Sequence, residues 1–190
     1  TPPANSDVDF TLTVTAIAKD GTAVETTTSA PLLETVNPVT DTPTLSVSAA
    51  TGNEDTAIPL TIDPALTDLD GSETLTITIA GVPAGAVLSA GTSVTQPDGS
   101  TTWTLTPAQL SGLTVTPPAN SDADFDLTLT GTSTEASTGD TATTTATVHV
   151  TVNAVADAPA LVVTGEADGN PNEAIPLAIS GALTDTDGSE

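Results

Sequence analysis

Cysteine, methionine and tyrosine are absent from this 190-residue sequence, and lysine plus arginine amount to a single residue against 25 aspartates and glutamates. Without cysteine there is no disulfide framework, no thiolate zinc site and no thiol nucleophile, so stability must come from other sources. A formal charge of −24 with one basic residue leaves nothing to neutralise phosphates, so neither nucleic acid nor an anionic membrane surface is an expected partner. No run approaches the roughly 20 continuous apolar residues of a membrane span, and no basic-then-apolar leader opens the chain. No direct membrane insertion is expected, and the sequence reads as a soluble internal stretch of a longer protein. Aromatic residues are only 2%, which with high net charge can signal disorder. The regular order of the apolar residues, which a disordered tail would not need, argues against it.

The sequence repeats. Thr1 to Phe10, TPPANSDVDF, returns at Thr116 to Phe125 as TPPANSDADF, with nine of ten residues identical. LTDLDGSE at Leu66 returns as LTDTDGSE at Leu183, and VNPVTDTP at Val36 as VNAVADAP at Val152. The unit is therefore about 116 residues, a period that suits a string of separate domains better than a tight solenoid. Pro- and Asp-bearing joints at Asn37 to Pro43 and Asn153 to Pro159 mark the boundaries. Residues 1–41 are expected to be the C-terminal part of one repeat, 42–157 a complete repeat, and 158–190 the N-terminal part of the next.

Within the central repeat, apolar residues alternate with Thr or Ser at period 2, which sends one face of each segment inward and the other to water. The rows are Leu45, Val47 and Ala49; Ile58, Leu60 and Ile62; Leu75, Ile77 and Ile79; Trp103 and Leu105; Leu113 and Val115; Phe125, Leu127 and Leu129; and Ala146, Val148, Val150 and Val152. Pro97-Asp98-Gly99 has the chemistry of a tight hairpin turn, and the segment from Pro107 to Gly112 that of a single helical turn. Seven or eight such strands predict an all-β fold, an antiparallel β-sandwich, with no long helix.

The acidic residues collect in the loops: Asn53-Glu54-Asp55, Asp68 to Glu73 (DLDGSE), Asp122-Ala123-Asp124, and the joint from Asn153 to Asp157. Two carboxylates about 5 Å apart repel by roughly 0.8 kcal/mol in water and more near a protein surface. No lysine or arginine stands in these loops to offset that. A hard divalent cation would, and calcium accepts six to eight oxygen ligands in irregular geometry. In DLDGSE, Asp68 and Asp70 point the same way on an extended stretch, Gly71 permits a bend, and Glu73 can return toward the ion. The twelve-residue EF-hand loop is absent, and so is the glycine-rich nonapeptide calcium repeat. The alternative is that these loops are solvated turns, for which Asp, Asn and Gly are favoured whether or not a metal binds.

GNEDTAIPL (Gly52 to Leu60), LTDLDGSETLTITIAGVPAGA (Leu66 to Ala86), TWTLTPAQL (Thr102 to Leu110), TPPANSDADF and VNAVADAP together resemble the tandem extender repeats of giant RTX-type bacterial adhesins, with cadherin-like or immunoglobulin-like domains. The resemblance covers the whole chain. It implies β-sandwiches joined by short calcium-binding linkers, exported by type I secretion to the cell surface, where they hold a ligand-binding tip away from the cell. VNAVADAP is similar to a cadherin linker but carries fewer acidic groups. Glu54 resembles the calcium-binding glutamate near the start of a cadherin domain, and Glu173 is its counterpart in the next repeat.

These readings lead to a specific expectation. Asn153 and Asp157 share calcium with Asp122 or Asp124 on one side and Glu173, Asp185, Asp187 or Glu190 on the other. At the earlier joint, Asn37 and Asp41 stand between Asp7 or Asp9 and Glu54, Asp55, Asp68, Asp70 or Glu73. Neighbouring repeats of the same chain and calcium ions are the expected partners, with the adhesion target bound elsewhere in the full-length protein. An enzyme is not expected: His149 lies on the outward row of a strand with no nucleophile beside it. Lys19 beside Asp20 and Gly21 reads as a turn residue, and Trp103 as a core anchor rather than a sugar platform. The rival from a different class is a carbohydrate- or ice-binding β-sandwich module, whose Thr-rich strand faces would present ordered hydroxyls.

Overall fold

The computed structural model describes residues 1–22, 25–165, 168–185 and 188. Among them there are fifteen strands and no α-helix. Contacts gather the chain into two compact units. The first contains residues 1–44, 64–76 and 131–144, the second residues 45–63, 77–130 and 145–190. Each unit draws on residues from both sides of one repeat boundary.

The strands are β1 (Phe10–Ala18), β2 (Thr26–Glu34), β3 (Thr44–Val47), β4 (Ala50–Asn53), β5 (Ile58–Pro59), β6 (Ile62–Ala65), β7 (Glu73–Val82), β8 (Val87–Leu88), β9 (Thr92–Thr95), β10 (Thr101–Leu105), β11 (Thr114–Thr116), β12 (Phe125–Glu135), β13 (Thr141–Asn153), β14 (Ala160–Val163) and β15 (Ile179–Ala182). The main sheet has the order β4-β13-β12-β7-β10-β9, and a second sheet the order β5-β11-β8. Three two-stranded sheets, β1-β2, β3-β6 and β14-β15, complete the set.

The core lies in the second compact unit and draws on both larger sheets. Ile77, Ile79, Leu105, Leu127, Leu129, Val148 and Val150 come from the main sheet and are at most 1% exposed, as are Ile58 and Val115 of the second sheet. Their spacing is the period-2 alternation of the sequence, which turns every second side chain inward. Each such burial contributes roughly 1.5–3 kcal/mol. The β4 backbone is drawn close to this core: a Cβ on Gly52 would stand 2.6 Å from Ile58 Cγ1, and on its repeat counterpart Gly169, 2.7 Å from Ile175 Cγ1. Only glycine permits that approach.

Several elements differ from the sequence pattern. Ile58, Leu60 and Ile62 do not form one strand: β5 ends at Pro59 and β6 begins at Ile62, while the Leu60 N–H turns to the Leu113 carbonyl at 2.9 Å. Trp103 is half-buried rather than a core anchor, and its indole N–H donates to Thr101 Oγ1 at 2.9 Å. The turn at Pro97 joins antiparallel β9 and β10, and Pro107–Leu110 forms a 3-10 turn. The strands do not all pair antiparallel. β4 and β13 run parallel, with Ala50 opposite Val150 and Asn53 opposite Asn153. An entering strand parallel to the leaving strand puts the start and the end of a repeat at opposite ends of its sheet.

Candidate functional site

The acidic loops fall into two groups, one inside each compact unit. In the first unit a cavity of about 200 Å³ is lined by Asn5, Ser6, Asp7, Asn37, Pro38, Val39, Asp41, Asp68, Ser72 and Glu135. Asp7 is brought in by the segment ahead of β1, Asn37 and Asp41 by the linker, Asp68 by the loop ahead of β7, and Glu135 by the last position of β12. Loop geometry is held by carboxylate-to-backbone bonds. The Asp70 N–H donates to Asp68 Oδ1 at 2.9 Å, the Ser72 N–H to Asp70 Oδ1 at 2.9 Å, and the Asp7 N–H to Asp70 Oδ2 at 3.3 Å. Glu73, at the start of β7, is buried. Its Oε1 accepts the Asp41 N–H at 2.6 Å and its Oε2 the Ser133 hydroxyl at 2.7 Å. Glu73 therefore ties the linker to the start of β7 and to its neighbour β12.

Electrostatics at this joint are uneven. Burial, and after it the negative charge of Asp70, push the Asp7 carboxyl above its ordinary range. Asp70 is held below that range, first by the Ser72 N–H. The Ser137 N–H and hydroxyl likewise hold Glu135 down, donating to its Oε1 at 3.0 and 2.7 Å. A nearby cation would therefore favour the ionised form of Asp7.

In the second unit, Glu54 follows β4 and is 2% exposed. Its Oε1 accepts the Val155 N–H at 2.6 Å, its N–H donates to the Asn153 carbonyl at 3.0 Å, and its Oε2 is buried with no hydrogen-bond partner. An unpartnered buried carboxylate oxygen is costly unless something else satisfies it. Asp55 Oδ1 accepts the Asn120 N–H at 2.9 Å, and Asp124 Oδ1 the Val152 N–H at 2.8 Å. Asn153 reaches Asn53 at 3.4 Å. Asp122 and Asp157 are half-buried and Asp185 is buried, each with interactions of its own.

Three bonds recur at the two joints. Asn5 Nδ2 donates to the Thr67 carbonyl at 3.1 Å, and Asn120 Nδ2 to the Thr184 carbonyl at 3.0 Å. The Thr67 hydroxyl donates to the Thr42 carbonyl at 2.7 Å, and the Thr184 hydroxyl to the Ala158 carbonyl at 2.7 Å. Asp9 caps the Val36 N–H at 2.9 Å as Asp124 caps that of Val152.

Placement corrects the expected grouping. Glu54 and Asp55 take their partners, Val155 and Asn120, at the later joint, not beside Asn37 and Asp41, because β4 lies against the end of β13. Glu173 is exposed and bonds locally, accepting from Asn170 Nδ2 at 3.1 Å; in the register that pairs Gly169 with Gly52 it stands at the position of Thr56, not of Glu54. Asp187 and Glu190 lie outside the described residues. Glu135 went unrecognised in the sequence. Its signal was the alternation of β12, which turns Gly131, Ser133 and Glu135 inward and so ends a strand on a buried carboxylate.

The donors are oxygen throughout, the set that suits calcium rather than a transition metal. Among the described residues no three acidic or histidine side chains converge on one point; the first joint is an acidic recess, not a closed cage. The recess and the unpartnered Glu54 oxygen fit a hard cation in kind. No protein-family model matches the chain, and no curated protein is significantly similar to it.

Proposed function

We propose that the chain is a calcium-stabilised structural extender of a secreted bacterial surface adhesin, built of tandem immunoglobulin-like β-sandwich repeats. In this reading it is not an enzyme. It works outside the cell, and the adhesive contact is made elsewhere in a longer protein. The observation that carries the reading is the twice-built joint, in which residues of one repeat, the linker and the next repeat meet through the same bonds in both copies. The parallel pairing of β4 with β13 supports it, because a repeat entered at one end and left at the other extends a string.

At the first joint, Asp7, Asn37, Asp41, Asp68 and Glu135 would hold the ion, and at the second Glu54, with Asp122, Asn153, Asp157 and Asp185 as further oxygen donors. Bound calcium would supply the positive charge that these loops lack, and so restrain the joint against bending. Small-angle scattering of the 190-residue chain tests this. Its maximum dimension is expected to lengthen and its distance distribution to narrow when calcium replaces a chelator. Identical profiles in the two conditions would remove the clamp from the mechanism.

A further inference from the structure

The turn between β4 and β5 is fixed at both ends. Asn53 stands opposite Asn153 in the parallel pairing, Ile58 stands opposite Val115 of β11, and the Thr56 hydroxyl closes the turn on the Asn53 carbonyl at 2.7 Å. Asp55 takes the left-handed position of this turn, with φ of 55°. Its Oδ1 accepts the backbone N–H of Asn120, 65 residues away, at 2.9 Å. Asn120 lies in the segment 117–124 that joins β11 to β12 and has no strand ladder of its own, so side-chain bonds must set its course.

Asn120 passes the connection on. Its side-chain amide donates to the Thr184 carbonyl, and the Thr184 hydroxyl returns to the Ala158 carbonyl. All four residues belong to the second compact unit. Three hydrogen bonds thus run in line from an anchored turn of the central repeat to the start of the next, and none of them needs a positive charge.

The sequence of the next repeat separates this line from the cation reading. With Gly169 aligned on Gly52, Asn172 stands at the position of Asp55 and Pro171 at that of Glu54. Asn172 is again left-handed, with φ of 68°. The next copy therefore gives up the buried carboxylate but keeps, at the left-handed position, a short side chain that ends in an acceptor oxygen. Calcium affinity depends on the charge of the ligands, whereas accepting an N–H needs only the oxygen.

We infer that Asp55 is a positioning residue: it holds the loop ahead of β12 so that Asn120 latches onto the next repeat, and this latch fixes the joint without a cation. The inference rests on reading residues 158–190 as the next repeat, and it stands whether or not calcium binds.

The test uses the full 190-residue chain in chelator, with NMR exchange of the Asn120 amide and the order parameter of the Thr184 backbone as readouts. Thr67, which Asn5 holds in the same way, is the internal reference. Asp55→Gly suits the left-handed backbone but offers no acceptor. It should speed exchange at Asn120 about tenfold, as the loss of a charge-assisted hydrogen bond implies. It should also lower the Thr184 order parameter from the rigid value of about 0.85 toward about 0.6, with Thr67 unchanged. Asp55→Asn should keep both readouts and the wild-type calcium midpoint. Asn120→Ala should loosen Thr184 as much as Asp55→Gly does, and the double variant no further. A turn that is merely destabilised would lower the melting temperature without singling out Thr184. Unchanged Thr184 motion in Asp55→Gly, or equal damage in Asp55→Asn, overturns the assignment. So does a calcium midpoint shifted by Asp55→Asn, since Asp55 is then a cation ligand. Because the latch is read in chelator, a chain with no calcium response removes the clamp but not the latch.

Discussion

Asn120 and Thr184, 64 residues apart, are joined by a hydrogen bond from the Asn120 side-chain amide to the Thr184 carbonyl at 3.0 Å. The backbone of Asn120 is left-handed, with φ of 53°, and Asn5 repeats both features with φ of 54° and a bond to Thr67. Asparagine tolerates this conformation better than other residues with a Cβ, so one residue type meets both demands of the joint. Asn120→Ala should lose the bond and strain the turn, lowering stability by about 1 kcal/mol in urea unfolding. Asn120→Gly relieves the strain but not the lost bond, and should fall between wild type and alanine. If glycine is as damaging as alanine, the backbone conformation is not part of the cost.

Glu73 is expected to be the most sensitive carboxylate of the first joint. Glu73→Ala leaves the Asp41 N–H and the Ser133 hydroxyl without their acceptor, at a cost of roughly 1–3 kcal/mol for each buried group left unmet. Glu73→Gln keeps an acceptor oxygen and should cost markedly less. Chemical denaturation of the three chains in chelator orders them, and equal losses in both variants would mean the carboxylate charge, not its bonds, is what matters.

Asp7 offers a test of sign. Burial and the Asp70 charge both disfavour its ionised form, so Asp7→Asn should raise the melting temperature in chelator. The same substitution should reduce the gain on adding calcium, which for one site at 100 times its dissociation constant is roughly 2.7 kcal/mol. A wild-type calcium response in the variant removes Asp7 from the ligand set, and a chelator that leaves the wild-type melting curve unmoved removes the metal.

His149 carries a pH dependence of its own. Its Nδ1 lies 2.7 Å from Asp126 Oδ1, and its Nε2 3.6 Å from Asp124 Oδ2. The hydrogen bond to Asp126, opposed by partial desolvation and aided by the charges of both aspartates, raises its pKa above the ordinary 6.5. The stabilising pair is therefore complete below pH 6.5 and is lost as pH rises through the folded value. An NMR titration of the ring should show the raised pKa and a downward move in Asp126→Asn. Because the pair is exposed, its effect on melting should be small and should shrink with salt.

What the sequence determined by itself is whatever depends on near neighbours along the chain. Period-2 alternation marked Leu127, Leu129, Val148 and Val150 as inward, since a pleated strand turns alternate side chains to opposite faces whatever it pairs with. The Pro97 turn was legible from backbone chemistry, and the internal repeat from residue identity. Tertiary structure alone decided which loops meet. The parallel pairing of β4 with β13 joins residues 100 positions apart and carries Glu54 to Val155, and no local pattern encodes a contact closed over that distance. Glu135 was hidden for a related reason: alternation predicts that a residue turns inward, while only the assembled unit shows that inward at that point is an acidic recess. The exposed Val14 and the buried Leu129 carry the same pattern in the two copies; among the described residues β12 pairs with a strand on each side and β1 with β2 alone.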